Sequence, residues 1–167
     1  MDVLTGIDGI EFRWMKSTDV VGVGLLVANT MTVEHGIVYT HGSTGGLGAK
    51  EVSDRVLVGT AGGKVVATCG LHIDDESWPL VPQAWVSWLA VSPDMQRSGA
   101  GTKMMDWILA MAKERGFCEL YVETYSTAAF KSAREFYLKY GFVHHSDVLD
   151  MPIWGTDTIY YRYDVGS

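Results

Sequence analysis

Residues 85–91 read Trp-Val-Ser-Trp-Leu-Ala-Val and are followed by Ser92-Pro93-Asp94 and by the loop Gln96-Arg97-Ser98-Gly99-Ala100-Gly101. A run so nearly apolar is expected of a strand covered on both faces, so the chain needs a sheet with other layers packed on either side. The segment after the loop is helical in its spacing. Met104, Met105, Ile108, Leu109 and Ala112 fall on one side of residues 102–115, Lys103, Asp106, Lys113 and Glu114 fall on the other, and Gly116 supplies the C-terminal cap. A strand, a turn and a glycine-spaced loop opening a helix form a recurrent phosphate site. The first helical amides have no partner in the helix, and its dipole places partial positive charge at the same end. Gly99 and Gly101 lack the β-carbons that would keep phosphate oxygens from those amides, and Arg97 adds charge.

The other segments predict what surrounds this unit. Residues 10–16 alternate as a strand, and Ser17-Thr18-Asp19 offers capping oxygens to a helix running through Ala28. Residues 55–61 and 64–73 are β-rich and are joined by Gly62-Gly63, a dipeptide suited to a tight hairpin. Residues 119–123 alternate as a further strand. Phe130, Ala133, Phe136, Tyr137 and Tyr140 then trace the apolar face of a second helix that stops at Gly141, and residues 142–145 and 158–163 supply closing strands. Strands alternating with helices, plus a hairpin, predict a mixed α/β sheet in one domain, residues 1–167. Residues 30–48, with His35, His41 and the glycine-rich run 42–48, are expected to form a mobile loop near an acceptor.

Composition narrows the partners. A net charge of −7 argues against nucleic acid, whose phosphates are bound mainly by Lys and Arg, and suits a cationic or neutral ligand better. No apolar stretch approaches the roughly 20 residues of a membrane span, and the N-terminus shows no basic-then-apolar leader, so a cytoplasmic location is expected. Cys69 and Cys118 lie in apolar segments without metal-type neighbours and are expected to be buried thiols, and no metal is expected. Asp74, Asp75 and Glu76 beside His72 read as solvated charge in preference to ligands, and the adjacent rings of His144 and His145 would point to opposite faces of a strand. Gly22-Val23-Gly24 lacks the third glycine and the preceding buried strand of a dinucleotide site, and reads as helix interior.

Val91-Ser92-Pro93 followed by Gln96-x-x-Gly99-x-Gly101 resembles the cofactor motif of the Gcn5-related N-acetyltransferase superfamily. Ala133-x-x-Phe136-Tyr137-x-Lys139-x-Gly141-Phe142 resembles the last helix and following strand of the same superfamily. The resemblance spans about residues 10–165. It implies a mostly antiparallel sheet flanked by helices, with a central parallel pair, residues 85–91 and 119–123, that splays to admit pantetheine. It implies acetyl-CoA or another acyl-CoA as co-substrate, with the pyrophosphate on Gln96, Arg97, Ser98, Gly99, Ala100, Gly101 and Thr102. The main chain of Leu89, Ala90 and Val91 would pair with the pantetheine amides. The chain departs from the family pattern at Gln96, where many members carry Arg, and at Phe130, where many carry Asn.

By the same resemblance the chain is an enzyme of the acyl-CoA-dependent N-acyltransferase class, EC 2.3.1 in type, acting on a primary amine by direct attack. Tyr137 would return a proton to the departing thiolate. The base is left open between a water relay at Ser87, which shares a strand face with Trp85 and Leu89, and the carboxylate of Glu123. Acidic residues on two loops, 74–76 and Asp147, Asp150 and Asp157, with Trp78 and Trp154 among them, favour a small cationic acceptor. A protein lysine or N-terminus is the alternative acceptor, and a noncatalytic acyl-CoA-binding module is the alternative class. A homodimer stays open.

Overall fold

The structure, a computed structural model, describes residues 4–32, 34–36, 56–74, 82–145 and 157–166. The chain divides into two compact units, Met1–Gly70 with Trp88–Trp107, and Leu71–Ser87 with Ile108–Ser167. Three elements named below, β4, β5 and α2, run from one unit into the other.

In the first unit β1 (Leu4–Ile7) and β2 (Ile10–Trp14) form an antiparallel hairpin. Its turn residues Asp8 and Gly9 both have positive φ, 48° and 78°, the backbone that matches the twist of paired strands. β2 pairs with β3 (Val56–Ala61), and β3 with β4 (Lys64–Asp74), both antiparallel. The β3–β4 turn is Gly62-Gly63, with φ 55° and 77°, as its sequence predicts. Helix α1 (Val20–Thr30) lays Val23 and Val27 on Met15, Val56 and Val58, with Val65 and Trp88 at the edge of that cluster. Fully burying side chains of this size is worth about 1.5–3 kcal/mol each. Gly22 and Gly24 are therefore helix interior.

The capping expected of Ser17-Thr18-Asp19 takes a different form. Residues Ser17–Asp19 make a single 3-10 turn ahead of α1, and Asp19 turns its carboxylate back to accept from the Lys16 amide at 2.7 Å. Arg13 grips the same carboxylate with two N–H groups, at 2.6 and 2.8 Å. Asp19 is buried, and this pairing, with the Arg13 hydrogen bond the largest cause, holds its pKa below the ordinary carboxylate value.

In the second unit the strand order is β5-β6-β8-β7. β5 (Gln83–Val91) enters it with its first residues, beside β6 (Glu119–Tyr125), β8 (Thr158–Asp164) and β7 (Val143–His145). β5 and β6 run parallel, and the remaining pairs are antiparallel. Helix α2 (Ala100–Glu114) buries Met104, Met105, Ile108 and Ala112, the stripe its periodicity marks. Past its end Gly116 has φ 81° and the Phe117 amide reaches back to Ala112 O at 3.0 Å. Helix α3 (Lys131–Tyr140) is closed the same way by Gly141, φ 118°, with the Phe142 amide bonded to Tyr137 O at 3.0 Å. Among the described residues no helix is long and apolar enough to cross a membrane.

Two expectations are corrected in this unit. Phe130 precedes α3, in a 3-10 turn of Ala128–Phe130, and its ring meets Tyr125 edge-on at 4.9 Å. Cys69 is buried, and burial pushes its thiol pKa well up, but Cys118 is exposed. Cys118 lies one residue before β6 begins, so the apolar strand that follows does not enclose it. Residues 37–55, 75–81 and 146–156 lie outside the described residues, and with them most of the loop expected over 30–48, including His41, and Asp75, Glu76, Trp78, Asp147, Asp150 and Trp154.

Candidate active site

The glycine-spaced loop is built by alternating backbone hands. A 3-10 turn, Pro93–Met95, leads to Gln96 in an extended conformation, then to Arg97 at φ 66° and Gly99 at φ 85°. The left-handed residues stop the chain from closing a helix early, and the Lys103 amide makes the first helical bond of α2, to Gly99 O at 3.0 Å. Amides ahead of Lys103 therefore have no carbonyl within the helix. Ser98 braces the turn, donating from its hydroxyl to Met95 O at 2.7 Å and accepting from the Ala100 amide at 3.3 Å. Gln96 donates from its side chain to Val91 O at 3.2 Å, tying the loop to the end of β5. Gln96, Arg97 and Thr102 are exposed, and Ala100 is buried beneath them. A β-carbon on Gly99 would lie 3.2 Å from the end of the Ile7 side chain, so the position is short of room as well as left-handed. The amides of this turn other than those of Gln96 and Ala100, with the exposed Arg97 guanidinium beside them, form an anion cradle.

Leu89, Ala90 and Val91 form the end of β5, directly ahead of this loop. Just before them Trp88 stands at φ 51°, a conformation that bulky side chains rarely adopt. Such a residue re-aims the peptide groups on either side of it, as a bulge does. The strict alternation that would place Leu89 on the face of Ser87 does not carry through it, so the expectation of a shared face holds for Trp85 and Ser87 only. Nothing in the apolar run 85–91 signals this kink.

Within the second unit, register sorts the candidate catalytic residues by face. The parallel ladder pairs Ala84 with Leu120, Trp85 with Tyr121 and Val86 with Val122. Ser87 and Glu123 are the next positions along the two strands. On β8 the residue opposite Glu123 is Tyr160, and on β7 the residue opposite Tyr160 is His145. Trp85, Ser87, Tyr121, Glu123, Tyr160 and His145 therefore share one face. The aromatic contacts agree: Trp85 meets Tyr121 at 5.4 Å and Tyr160 at 6.0 Å, and His145 meets Tyr121 at 5.5 Å. The neighbouring His144 instead meets Tyr161, so the two histidines do point opposite ways.

Tyr137 belongs to the other face. It is 5% exposed and packs on Phe136, Phe142 and Tyr161, and Tyr161 is the register partner of Val122, not of Glu123. The fold thus gathers Ser87 and Glu123 on one side of the sheet and sets Tyr137 on the opposite side.

Glu123 is half-buried. Burial pushes its carboxyl pKa above the ordinary value, against the opposing effect of a hydrogen bond from the Tyr125 hydroxyl to Oε1 at 3.1 Å. Burial also raises the Tyr125 phenol pKa, as do the nearby Glu123 charge and their hydrogen bond. An open hollow of about 670 Å³ lies at the far end of the same strands, lined by Pro82, Gln83, Cys118, Glu119, Tyr121 and Asp164 among others, and does not include Glu123. Among the described residues no group of three or more His, Cys, Asp or Glu is gathered as a metal site.

The family model of the acetyltransferase (GNAT) domain matches residues 53–144, more than half of the chain, and the chain belongs to that family. Solved structures share its fold. A GNAT-family protein of Desulfovibrio desulfuricans is 21% identical, with a TM-score of 0.72 over 94% of this chain and 99% of the other. Ard1 of Thermoplasma volcanium is 20% identical, with a TM-score of 0.69 over 95% and 99%. The PaiA N-acetyltransferase of Thermoplasma acidophilum, solved in complex with coenzyme A, is 12% identical, with a TM-score of 0.66 over 93% and 98%. No curated protein matches the chain in sequence. The architecture is the mixed α/β GNAT fold, a largely antiparallel sheet containing the parallel pair β5 and β6 and flanked by helices.

Proposed function

We propose that this GNAT-family chain is an N-acetyltransferase that moves an acetyl group from acetyl-CoA, or a related acyl-CoA, to a primary amine of a small, cationic acceptor. The observation that carries the reading is the loop from Gln96 to Thr102, where left-handed turns at Arg97 and Gly99 leave the first amides of α2 without helical partners. Those amides, Arg97 and the Ser98-braced turn fit a pyrophosphate. Leu89, Ala90 and Val91 offer main-chain groups to pantetheine amides, and the Trp88 kink re-aims the peptide at which they begin.

Acetyl-CoA supplies the acetyl group already activated as a thioester. The protein must then make the amine neutral, hold developing negative charge and return a proton to sulfur. A carboxyl whose pKa is raised by burial is a better base near neutral pH than an exposed one, which favours Glu123, with Ser87 on the same face to hold a relay water. Addition of the amine to the thioester carbonyl gives a tetrahedral intermediate whose collapse expels the thiolate, and Tyr137, which matches the tyrosine of the family's last helix, is the proposed donor of the proton to that sulfur. The net charge of −7 supports a cationic acceptor.

Gly101→Glu tests the cofactor assignment. Calorimetric titration should show CoA binding in the native protein and none in the variant, with both folded by circular dichroism. Equal affinity in the two removes the loop from the site. Comparing dicationic, neutral and anionic amines as acceptors at low and high salt tests the acceptor class, and equal or better use of the neutral amines sinks it.

A further inference from the structure

We propose that Tyr125 is a positioning residue that holds the Glu123 carboxylate in place for proton transfer, an inference resting on the reading of Glu123 as the base. Strand β6 carries the pattern Glu-x-Tyr twice, and the two copies are finished differently. In the first, Tyr121 donates its hydroxyl to Glu119 Oε2 at 2.6 Å, and Arg162 closes an ion pair on Oε1 at 2.7 Å. That carboxylate is neutralised. In the second, Tyr125 donates to Glu123 Oε1 at 3.1 Å, and among the described residues no cation pairs with Glu123. Arg162 stands opposite Tyr121 on β8, and the equivalent position, opposite Tyr125, holds Thr158, with Tyr160 opposite Glu123 itself.

Tyr125 is itself held. Phe130 packs its ring edge-on at 4.9 Å, and Arg134 of α3 donates to the Tyr125 carbonyl and to Thr127 O, fixing the end of β6 to the start of the helix. Among the described residues the titratable and charged groups facing Glu123 are few. Tyr160 lies opposite on β8 and His145 beyond it on β7, while Glu119 and Arg162 are engaged with each other further along; β5 contributes Ser87 and Trp85, which do not titrate. The Tyr125 hydroxyl is thus the directed hydrogen bond that favours the ionised carboxylate, and it works against burial.

The test uses the full chain in three forms: native, Tyr125→Phe, and Tyr163→Phe as the control for losing a phenol elsewhere in the same sheet, where Tyr163 packs on Phe142 and Tyr140. Side-chain carboxyl NMR, with the Glu123 signal assigned by its loss in Glu123→Gln, follows the titration directly. The pH profile of kcat/KM follows its use. Removing the donor should move the Glu123 titration and the acidic limb of the profile together to higher pH, so that within that limb the rate falls about threefold or more. The KM for acetyl-CoA should hold, and Tyr163→Phe should move neither curve. A Glu123 titration unmoved by Tyr125→Phe overturns the proposal whatever the enzyme does. A titration that moves while the acidic limb stays in place shows that Glu123 is not the base, and so sinks the catalytic reading separately.

Discussion

Arg97→Gly should leave the fold as stable as before, or stabilise it, while weakening the cofactor site. Arg97 sits at φ 66°, and holding an L residue in the left-handed region costs about 1–2 kcal/mol that glycine does not incur. Against this, glycine loses more freedom on folding, by about 0.5–1 kcal/mol. The net change runs from nothing to about 1.5 kcal/mol in favour of the variant, or a melting point unchanged or higher by a few degrees for a chain of this size. Binding should move the other way. An exposed guanidinium beside a pyrophosphate contributes somewhere between a surface ion pair and a charged hydrogen bond, about 0.6–2 kcal/mol, so CoA affinity should fall about three- to thirtyfold. The loss should be largest at low salt, where screening is weakest. Arg97→Lys keeps the charge and the strained backbone, and should stay close to the native protein in both respects. Thermal melts and calorimetric titration with CoA at two ionic strengths are the assays. Unchanged CoA affinity at low salt would refute the place given to Arg97, and a variant destabilised by more than about 1 kcal/mol would refute the strain argument.

Tyr137→Phe keeps the ring packed on Phe142 and Tyr161 and removes only the hydroxyl, so CoA affinity should hold while turnover drops about 10²- to 10⁴-fold. A drop of less than about threefold in steady-state turnover would make Tyr137 a packing residue. Glu123→Gln should cost turnover on the same scale yet leave stability at neutral pH unchanged or raised. The folded state binds the Glu123 proton more tightly than the unfolded chain, and the stability this lends is lost as pH rises through the folded pKa, so near pH 7 the native carboxylate is a burden. Melting points of the two proteins at acid and neutral pH check the sign. Asp19→Asn should destabilise by about 1–2 kcal/mol at neutral pH by leaving Arg13 poorly paired. Because the Asp19 pKa is lowered on folding, its contribution is present above the unfolded value and lost as pH falls through the folded one, so the gap should close in acid. Denaturant titrations across that range read it, and a gap independent of pH would show that the ion pair is not the cause.

What the sequence conveyed, and what it did not, divides along physical lines. Gly62-Gly63, Gly116 and Gly141 announced their turns and caps because only glycine takes those backbone angles cheaply. The stripe of Met104, Met105, Ile108 and Ala112 announced α2 because burial follows helical period. Trp88 and Arg97 were hidden for the converse reason, being left-handed residues of types that rarely adopt that conformation, so composition carries no trace of them. The opposed faces of Glu123 and Tyr137 emerged only from register: alternation along β6 says that neighbours point apart, but not which side α3 covers. Cys118 misled because apolar neighbours in sequence are not neighbours in space one residue ahead of a strand. Ser17-Thr18-Asp19 offers capping oxygens by composition, but Arg13, six residues before Asp19, claims the Asp19 carboxylate, a pairing that local sequence does not reveal.

Acetyl transfer is read without intermediaries as thiol release from acetyl-CoA by the native chain, with the acetylated amine identified by mass, across a panel of dicationic, neutral and anionic amines. Amine-dependent thiol release with one N-acetyl product formed per thiol is expected, fastest with dications and abolished in Gly101→Glu. Tight binding of CoA with no thiol released above the amine-free rate for any acceptor would contradict it, and would make the chain a cofactor-binding module that performs no transfer.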